Sequence, residues 1–223
     1  MSLNYFENGY YIPIIFIFIY IYSKNLFLSS IITLKLFPFN YYYHFCNQYN
    51  YLPGNYNMLK QFVRFTDSGH FVSLLYYFFP NLLCLAFNIH FVITFGYWVG
   101  RVCFDLQDTD DRDSILNVKF MNFWTLLNHS FPLFLLIIEL CKLEDKENLF
   151  TMNDLCYSFL WAYTWFIFIY LPWRLVTNDP VYSILADDKP WIFRFLFLLF
   201  IKSLIVFSNL FGGNLVKFIQ YFN

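Results

Sequence analysis

The sequence is poor in charge. Asp, Glu, Lys and Arg make up 13% of its 223 residues, about half the share of an average soluble domain. So few charged groups cannot clothe a water-facing surface as they do in an ordinary soluble enzyme. Glycine and proline are scarce as well, at 7 and 8, and a collagen-like repeat is excluded. The five cysteines, Cys46, Cys84, Cys103, Cys141 and Cys156, are odd in number and form no Cys-x-x-Cys pair. Four lie in or beside apolar runs, where a reduced thiol behaves as a small apolar group. Neither a disulfide framework nor a metal site is expected from them. There is no excess of positive charge: the formal net charge is −1, which leaves no footprint for nucleic acid. No basic stretch precedes the first apolar run, as a presequence would require, although an organelle-encoded chain needs none. No lipidation signature, Gly-x-Ser-x-Gly, Walker loop or His-Glu-x-x-His occurs, and no cofactor is implied.

What the chain has in abundance is apolar and aromatic residues, 59% and 26% of the total, with 32 Phe and 19 Tyr. Disordered chains are poor in aromatics and rich in charge, so disorder is excluded. An integral membrane protein remains, since lipid tolerates what water would not. Plentiful Phe, Tyr, Ile and Asn beside scarce Ala and Gly is also the bias of AT-rich codons. Single aromatics therefore carry little functional weight, though rings still fill helix interfaces and sit well at headgroup level.

A spanning helix needs about 20 largely apolar residues. The first candidate lies within Tyr11 to Leu36, with Lys24 and Lys35 able to snorkel. Residues 38–57, Asn- and Tyr-rich with Pro53-Gly54, read as an interfacial loop. From Phe71 to Phe104 Arg101 is the lone charged residue. That stretch would be about 50 Å long as one helix, against a hydrocarbon core of about 30 Å. Two spans are therefore favoured, Thr66 to about Phe79 and about Asn81 to Phe104, broken at Pro80-Asn81 or at Asn88. An acidic loop follows over 105–117, then a fourth span from Val118 to Cys141 and a charged loop over 142–154. A fifth span runs from Leu155 to Trp173, ended by Pro172 and Arg174. After a loop over 174–190, Trp191 to about Gly213 is the sixth. The expected fold is an all-α, polytopic transmembrane helix bundle of about six spans, or five if residues 71–104 form one helix. Residues 1–57 would hold one span and its loop, and residues 58–223 the helix-bundle domain. No internal repeat is visible. Lys and Arg in the loops of a six-span layout would put the termini away from the cytosol.

Ionisable groups inside a membrane are expensive and rare, which makes them functional candidates. His129 stands near the middle of the fourth span, as a functional group or as a packing histidine bonded to a neighbouring carbonyl. Glu139 and Lys202, in spans four and six, could pair with each other, or each could snorkel to an interface. His90 lies in an apolar run and reads as structural. Thr66 opens a span within Arg64-Phe65-Thr66-Asp67-Ser68-Gly69, where the plain reading is a helix N-cap. Asp108, Asp110 and Asp113 invite a calcium loop, but Asp113 and Lys119 occupy the positions that need Gly and Glu. The segment reads as a solvated loop.

Several patterns taken together resemble one family, the androgen-induced and androgen-dependent-TFPI-regulator group of six-span membrane threonine hydrolases. Thr66 is followed by Leu75 and Tyr76 at the family's offsets. The run Phe91-Val92-Ile93-Thr94-Phe95-Gly96-Tyr97-Trp98 before Asp105 is similar to the end of its third span. Its fourth span carries a His ten residues before an acid, as His129 precedes Glu139 here with Pro132 between, and Leu127-Asn128-His129 matches its Leu-Asn-His. Asp179-Pro180-Val181-Tyr182-Ser183-Ile184-Leu185 keeps the Val, Tyr and Leu of a family loop without its Trp and second Pro. Leu210-Phe211-Gly212-Gly213-Asn214-Leu215 is similar to the last-span motif. The resemblance covers about residues 60–220. Besides that loop, and a second His that the family usually has three residues after Leu-Asn-His, two larger departures matter: the long basic loop between spans two and three is nearly absent, and the first 57 residues have no clear counterpart beyond one span.

The resemblance implies that Thr66 is a nucleophile and His129 its partner base, acting on lipid esters of the fatty-acid-ester-of-hydroxy-fatty-acid class. A hydroxyl is a weak nucleophile and needs an adjacent base, and neutral imidazole takes and returns its proton near neutral pH. Backbone N–H groups near Ser68-Gly69 would hold the oxyanion. The resemblance also implies cytosolic termini, against the charge count, and an endomembrane location such as endoplasmic reticulum or plasma membrane. Its partners would be membrane lipids and a lipid ester, with no metal, cofactor or nucleic acid. Two other readings stay open. One is a non-catalytic accessory subunit of a respiratory or ATP-synthase complex in the mitochondrial inner membrane. The other is a small transporter with His129, Glu139 and Lys202 along a polar path.

Overall fold

A computed structural model describes residues 12–33, 59, 62–104, 115–144 and 148–222. The loop expected over 38–57, Cys46 and the Asp-rich stretch up to residue 114 lie outside the described residues. Every regular element among the described residues is helical: α1 (Ile12–Ser23), α2 (26–33), α3 (Phe65–Phe78), α4 (Leu83–Phe104), α5 (Ile115–Lys142), α6 (Met152–Trp165), α7 (Leu171–Thr177) and α8 (Trp191–Phe222). Short 3-10 turns cover Pro80–Leu82 and Ser183–Leu185, and a π turn, Phe166–Tyr170, joins α6 to α7. Three stretches are long and apolar enough to cross a membrane: Pro80–Cys103, Met152–Thr177 and Trp191–Phe222.

The break expected at Pro80-Asn81 is present. Pro80 has no N–H to continue α3, and Phe79 leaves the helical region, with φ −129° and ψ 87°. Asn88 is no break point. It lies inside α4, fully buried. The single span placed within 11–36 is also interrupted. Lys24 adopts φ 54°, and the Asn25 side chain caps the next helix by accepting the Leu28 N–H at 2.8 Å. With 12 residues, α1 is about 18 Å long.

Pro172 does not end the stretch expected as the fifth span. The Leu171 N–H donates to the Phe166 carbonyl, a wider turn that lets the chain pass the proline and continue to Thr177. The last helix likewise runs beyond Gly213 to Phe222. The start of that fifth stretch moves to Met152, the first residue of α6, because Thr151 and Asp154 form a reciprocal capping box. Residues 115–117, assigned to the acidic loop, belong to α5.

At the centre stands α4. Phe87, Ile89, His90, Phe91 and Val92 are almost wholly buried. The hairpin partner α3 packs antiparallel to it, α5 packs on another side, and α8 crosses where Gly96 meets Ile201 and Phe91 meets Phe207 and Phe211. Phe27 of α2 packs edge-on to Tyr76 of α3, so α2 shares the same core. The outward faces of α6, the π turn, α7 and α8 are lined with large apolar side chains, including Leu160, Phe168, Leu175, Phe195 and Leu210, all exposed.

Candidate functional site

Thr66 occupies the second position of α3. The helix begins at Phe65 with Arg64 as N-cap, and the Arg64 side chain makes no capping bond. The plain reading of Thr66 as the cap is thus corrected: it lies one residue inside the helix. The donors of the first turn are accounted for in an unusual way. The Phe65 N–H donates to the hydroxyl of Tyr182 at 2.7 Å. The Asp67 and Ser68 N–H groups turn back to the Arg64 carbonyl at 3.0 and 3.2 Å. This corrects the oxyanion donors expected at Ser68-Gly69, because the Ser68 N–H is already spent. Gly69 also faces α4, where an added Cβ would meet Ile93 and His90.

His129 lies half-buried within α5. Its ring is stacked on Tyr97, with centroids 3.8 Å apart and planes 15° from parallel. Its backbone carbonyl accepts the Thr94 hydroxyl. One residue on, Ser130 Oγ accepts the Trp98 indole N–H at 2.9 Å. Arg101 donates to the Tyr97 hydroxyl at 2.8 Å. The aromatic run of α4 therefore forms the seat of His129.

The heights of the two residues follow from the helix pairing. Ser73 and Gly69 of α3 both meet His90 of α4, and Gly69 also meets Ile93. One turn further toward the start of α3, Thr66 falls at about the height of Gly96-Tyr97 on antiparallel α4. His129 is seated at Thr94 and Tyr97. The pair thus shares a level along α4, and α3 also touches α5. Among the described residues no hydrogen bond joins Thr66 to His129.

Other expected polar pairings do not form. Glu139 pairs with Lys142 on its own helix at 2.9 Å, and Lys202 rests over the Tyr163 ring at 5.5 Å. The expected Glu139–Lys202 ion pair is therefore corrected. Glu139 is paired within its own helix, and Lys202 of α8 rests on a ring of α6.

Two buried polar groups went unrecognised as a network in the sequence. The first is His90, fully buried, with Nε2 at 3.1 Å from the Gly69 carbonyl and 2.7 Å from Ser73 Oγ. A carbonyl only accepts, so Nε2 carries the proton and Ser73 Oγ shares it as an acceptor. In that tautomer His90 is no base for Ser73, and the structural reading of His90 agrees with this geometry. The second centres on Asn88, whose amide donates to Ser158 Oγ at 2.9 Å and to Asn209 Oδ1 at 3.0 Å. Asn209 in turn donates to the Phe150 and Thr151 carbonyls at 3.0 and 3.2 Å. The network ties α4, α6 and α8 together. Its one sequence signal was an Asn or Ser inside each apolar helix.

No family model, curated protein or solved structure matches the chain.

Proposed function

We propose that the chain is an integral membrane helix bundle that hydrolyses lipid esters, with Thr66 as nucleophile and His129 as base. The observation that carries this reading is that Thr66 and His129 stand at about the same level along α4, on helices α3 and α5 that touch each other. The membrane part rests on the three long apolar helices and on the apolar outward faces of α6 and α8. With α3, α5 and the N-terminal helices completing the bundle, about six crossings result.

In the proposed reaction Thr66 Oγ1 attacks the ester carbonyl while His129 takes its proton. The collapsing intermediate expels the alcohol, which receives that proton, and leaves an acyl-threonine. Water, deprotonated by His129, then releases the fatty acid and restores both groups. Side-chain pairs of this kind are often loose without substrate and tighten when it binds. The first-turn amide not spent in the contacts above is that of Thr66, a donor for the oxyanion. Apolar helix faces suit an acyl chain entering from lipid. Membrane lipids are the proposed partners, in an endomembrane such as endoplasmic reticulum or plasma membrane.

The test is labelling of the purified chain with a serine/threonine-hydrolase probe, native against Thr66→Ala and His129→Ala. Loss of labelling in Thr66→Ala and a fall of at least about 100-fold in His129→Ala are expected. Equal labelling of all three would sink the proposal. A second reading, a non-catalytic subunit of a membrane complex in the mitochondrial inner membrane, is favoured by the extent of apolar surface on α6 and α8. It predicts no labelling and co-purification in a larger assembly.

A further inference from the structure

The loop between α7 and α8 reaches back to the start of α3. Its fold is unusual. Val181, a β-branched residue, adopts φ 62°, a region such side chains avoid. Asn178, three residues earlier, also has positive φ, at 59°. Asp179 holds the turn from inside: it is 3% exposed, its Oδ2 accepts the Trp173 indole N–H at 2.9 Å, and its Oδ1 accepts the Val181 N–H at 3.3 Å. The next residue, Tyr182, delivers its hydroxyl to the Phe65 N–H at 2.7 Å, across 117 positions of chain. Trp165 closes the same corner. Its ring meets Phe65 edge-on at 5.0 Å and Tyr182 at 6.5 Å, and its indole N–H donates to the Val63 carbonyl at 2.8 Å.

Local strain that the surroundings over-determine is concentrated where placement matters for function. Here the strained residue aims the one side chain that caps α3, and the capped residue immediately precedes Thr66. Arg64, the local N-cap, makes no side-chain capping bond. We infer that Tyr182 is a positioning residue for Thr66: the Asp179–Val181 turn holds its hydroxyl on the Phe65 amide and so fixes the end of α3 from which Thr66 would attack. This deepens the hydrolase reading and rests on it for its catalytic consequence. The cap itself stands on geometry alone.

The experiment uses the full chain in lipid nanodiscs and compares native, Tyr182→Phe and Thr66→Ala. Tyr182→Phe keeps the ring against Trp165 and removes the acceptor. Two readouts are taken: amide hydrogen exchange of a peptide covering residues 63–70, and the rate of labelling by a hydrolase probe over a range of probe concentrations. We expect faster exchange in that peptide alone. We also expect a fall of about tenfold in the maximal labelling rate, with the half-saturating probe concentration and the thermal midpoint unchanged. A Tyr182→His variant, which restores a nitrogen acceptor, should recover part of the rate. Unchanged exchange overturns the cap. Faster exchange with an unchanged labelling rate overturns the positioning role while leaving the hydrolase reading intact. Native protein that shows no Thr66-dependent labelling overturns the hydrolase reading and the positioning role together, whatever the exchange shows.

Discussion

At the scale of single residues, the strongest commitments of this protein are polar groups inside apolar helices. Asn88 has no water to turn to, so its amide hydrogens must find acceptors within the bundle. They find Ser158 and Asn209. Removing that donor leaves Asn209 Oδ1 without its partner and Ser158 Oγ with only its bond to the Asp154 carbonyl, which costs about 1–3 kcal/mol. Asn88→Ala should therefore lower the stability in detergent by that amount. Asn81→Ala, at an exposed position in the turn before α4, should change it by less than about 0.5 kcal/mol. Thermal or denaturant unfolding of the two variants side by side measures the difference. The sequence showed Asn88 as a polar interruption in an apolar run, and a break was a fair reading. What distinguishes a hub from a break is the partners, and these come from positions 70 and 121 residues away. Local pattern holds no record of them. Glu139 and Lys202 went the other way. Opposite charges on two apolar spans suggested a long-range pair, but each satisfied itself nearby, with Lys142 and with Tyr163.

At the scale of elements, the fold turns on how one loop residue enters the core. Phe150 follows α5 with φ 58° and is buried. Its N–H donates to Cys84 Sγ at 3.3 Å, and its ring stands edge-on to Phe87 with centroids 5.1 Å apart. It lies so close to α8 that a Cβ on Gly212 would fall 2.3 Å from Cε1 of its ring. The ring is fixed from behind by α4 and cannot retreat. Gly212→Ala should thus destabilise the bundle by about 1–3 kcal/mol, the usual cost of overpacking. The neighbouring Gly213 is a control of opposite sign. A Cβ there would meet Phe150 at an ordinary 3.7 Å, and Ala in a helix interior is favoured over Gly by about 0.5–1 kcal/mol. Gly213→Ala should therefore be neutral or stabilising in the same unfolding measurement. If both substitutions behave alike, the wedge does not hold α8. The helix ends divide along similar lines. Pro80 marked its break openly, since proline carries its own reason for stopping a helix. Pro172 gave the same signal and was passed over by a π turn, whose formation depends on packing around Phe166–Tyr170. Lys24 gave no signal at all. A lysine at positive φ is set by tertiary context, and Asn25 as a cap is weak evidence without it.

At the scale of the whole molecule, the question is whether the apolar surface faces lipid. Low charge, long apolar helices and exposed Phe and Leu on α6 and α8 agree with one another, and a helical chain with stretches long and apolar enough to cross a membrane was legible from composition and apolar runs. The candidate site was legible only as separate positions, Thr66 and His129. That they fall at one level along α4 required the pairing of three helices. A bilayer also makes a geometric demand that water does not. Cys103 is exposed at the end of α4, and Cys141 is exposed at the end of α5. Thr94 and Tyr97 of α4 meet His129 of α5, while Glu139 of α5 lies within electrostatic reach of Tyr76, one turn beyond the Ser73–His90 contact, so α5 runs antiparallel to α4 and the two thiols stand at opposite ends of the bundle. From residue 84 to residue 103 α4 rises about 28 Å, close to the hydrocarbon thickness of about 30 Å. The two thiols should then open on opposite sides of one membrane. In sealed vesicles carrying single-cysteine variants, a membrane-impermeant maleimide should modify Cys103 or Cys141 but not both. Detergent should then make the protected thiol reactive. Equal modification of both thiols before detergent would mean that α4 and α5 lie in water or along the surface. In that case the apolar faces would have to be covered by protein rather than lipid.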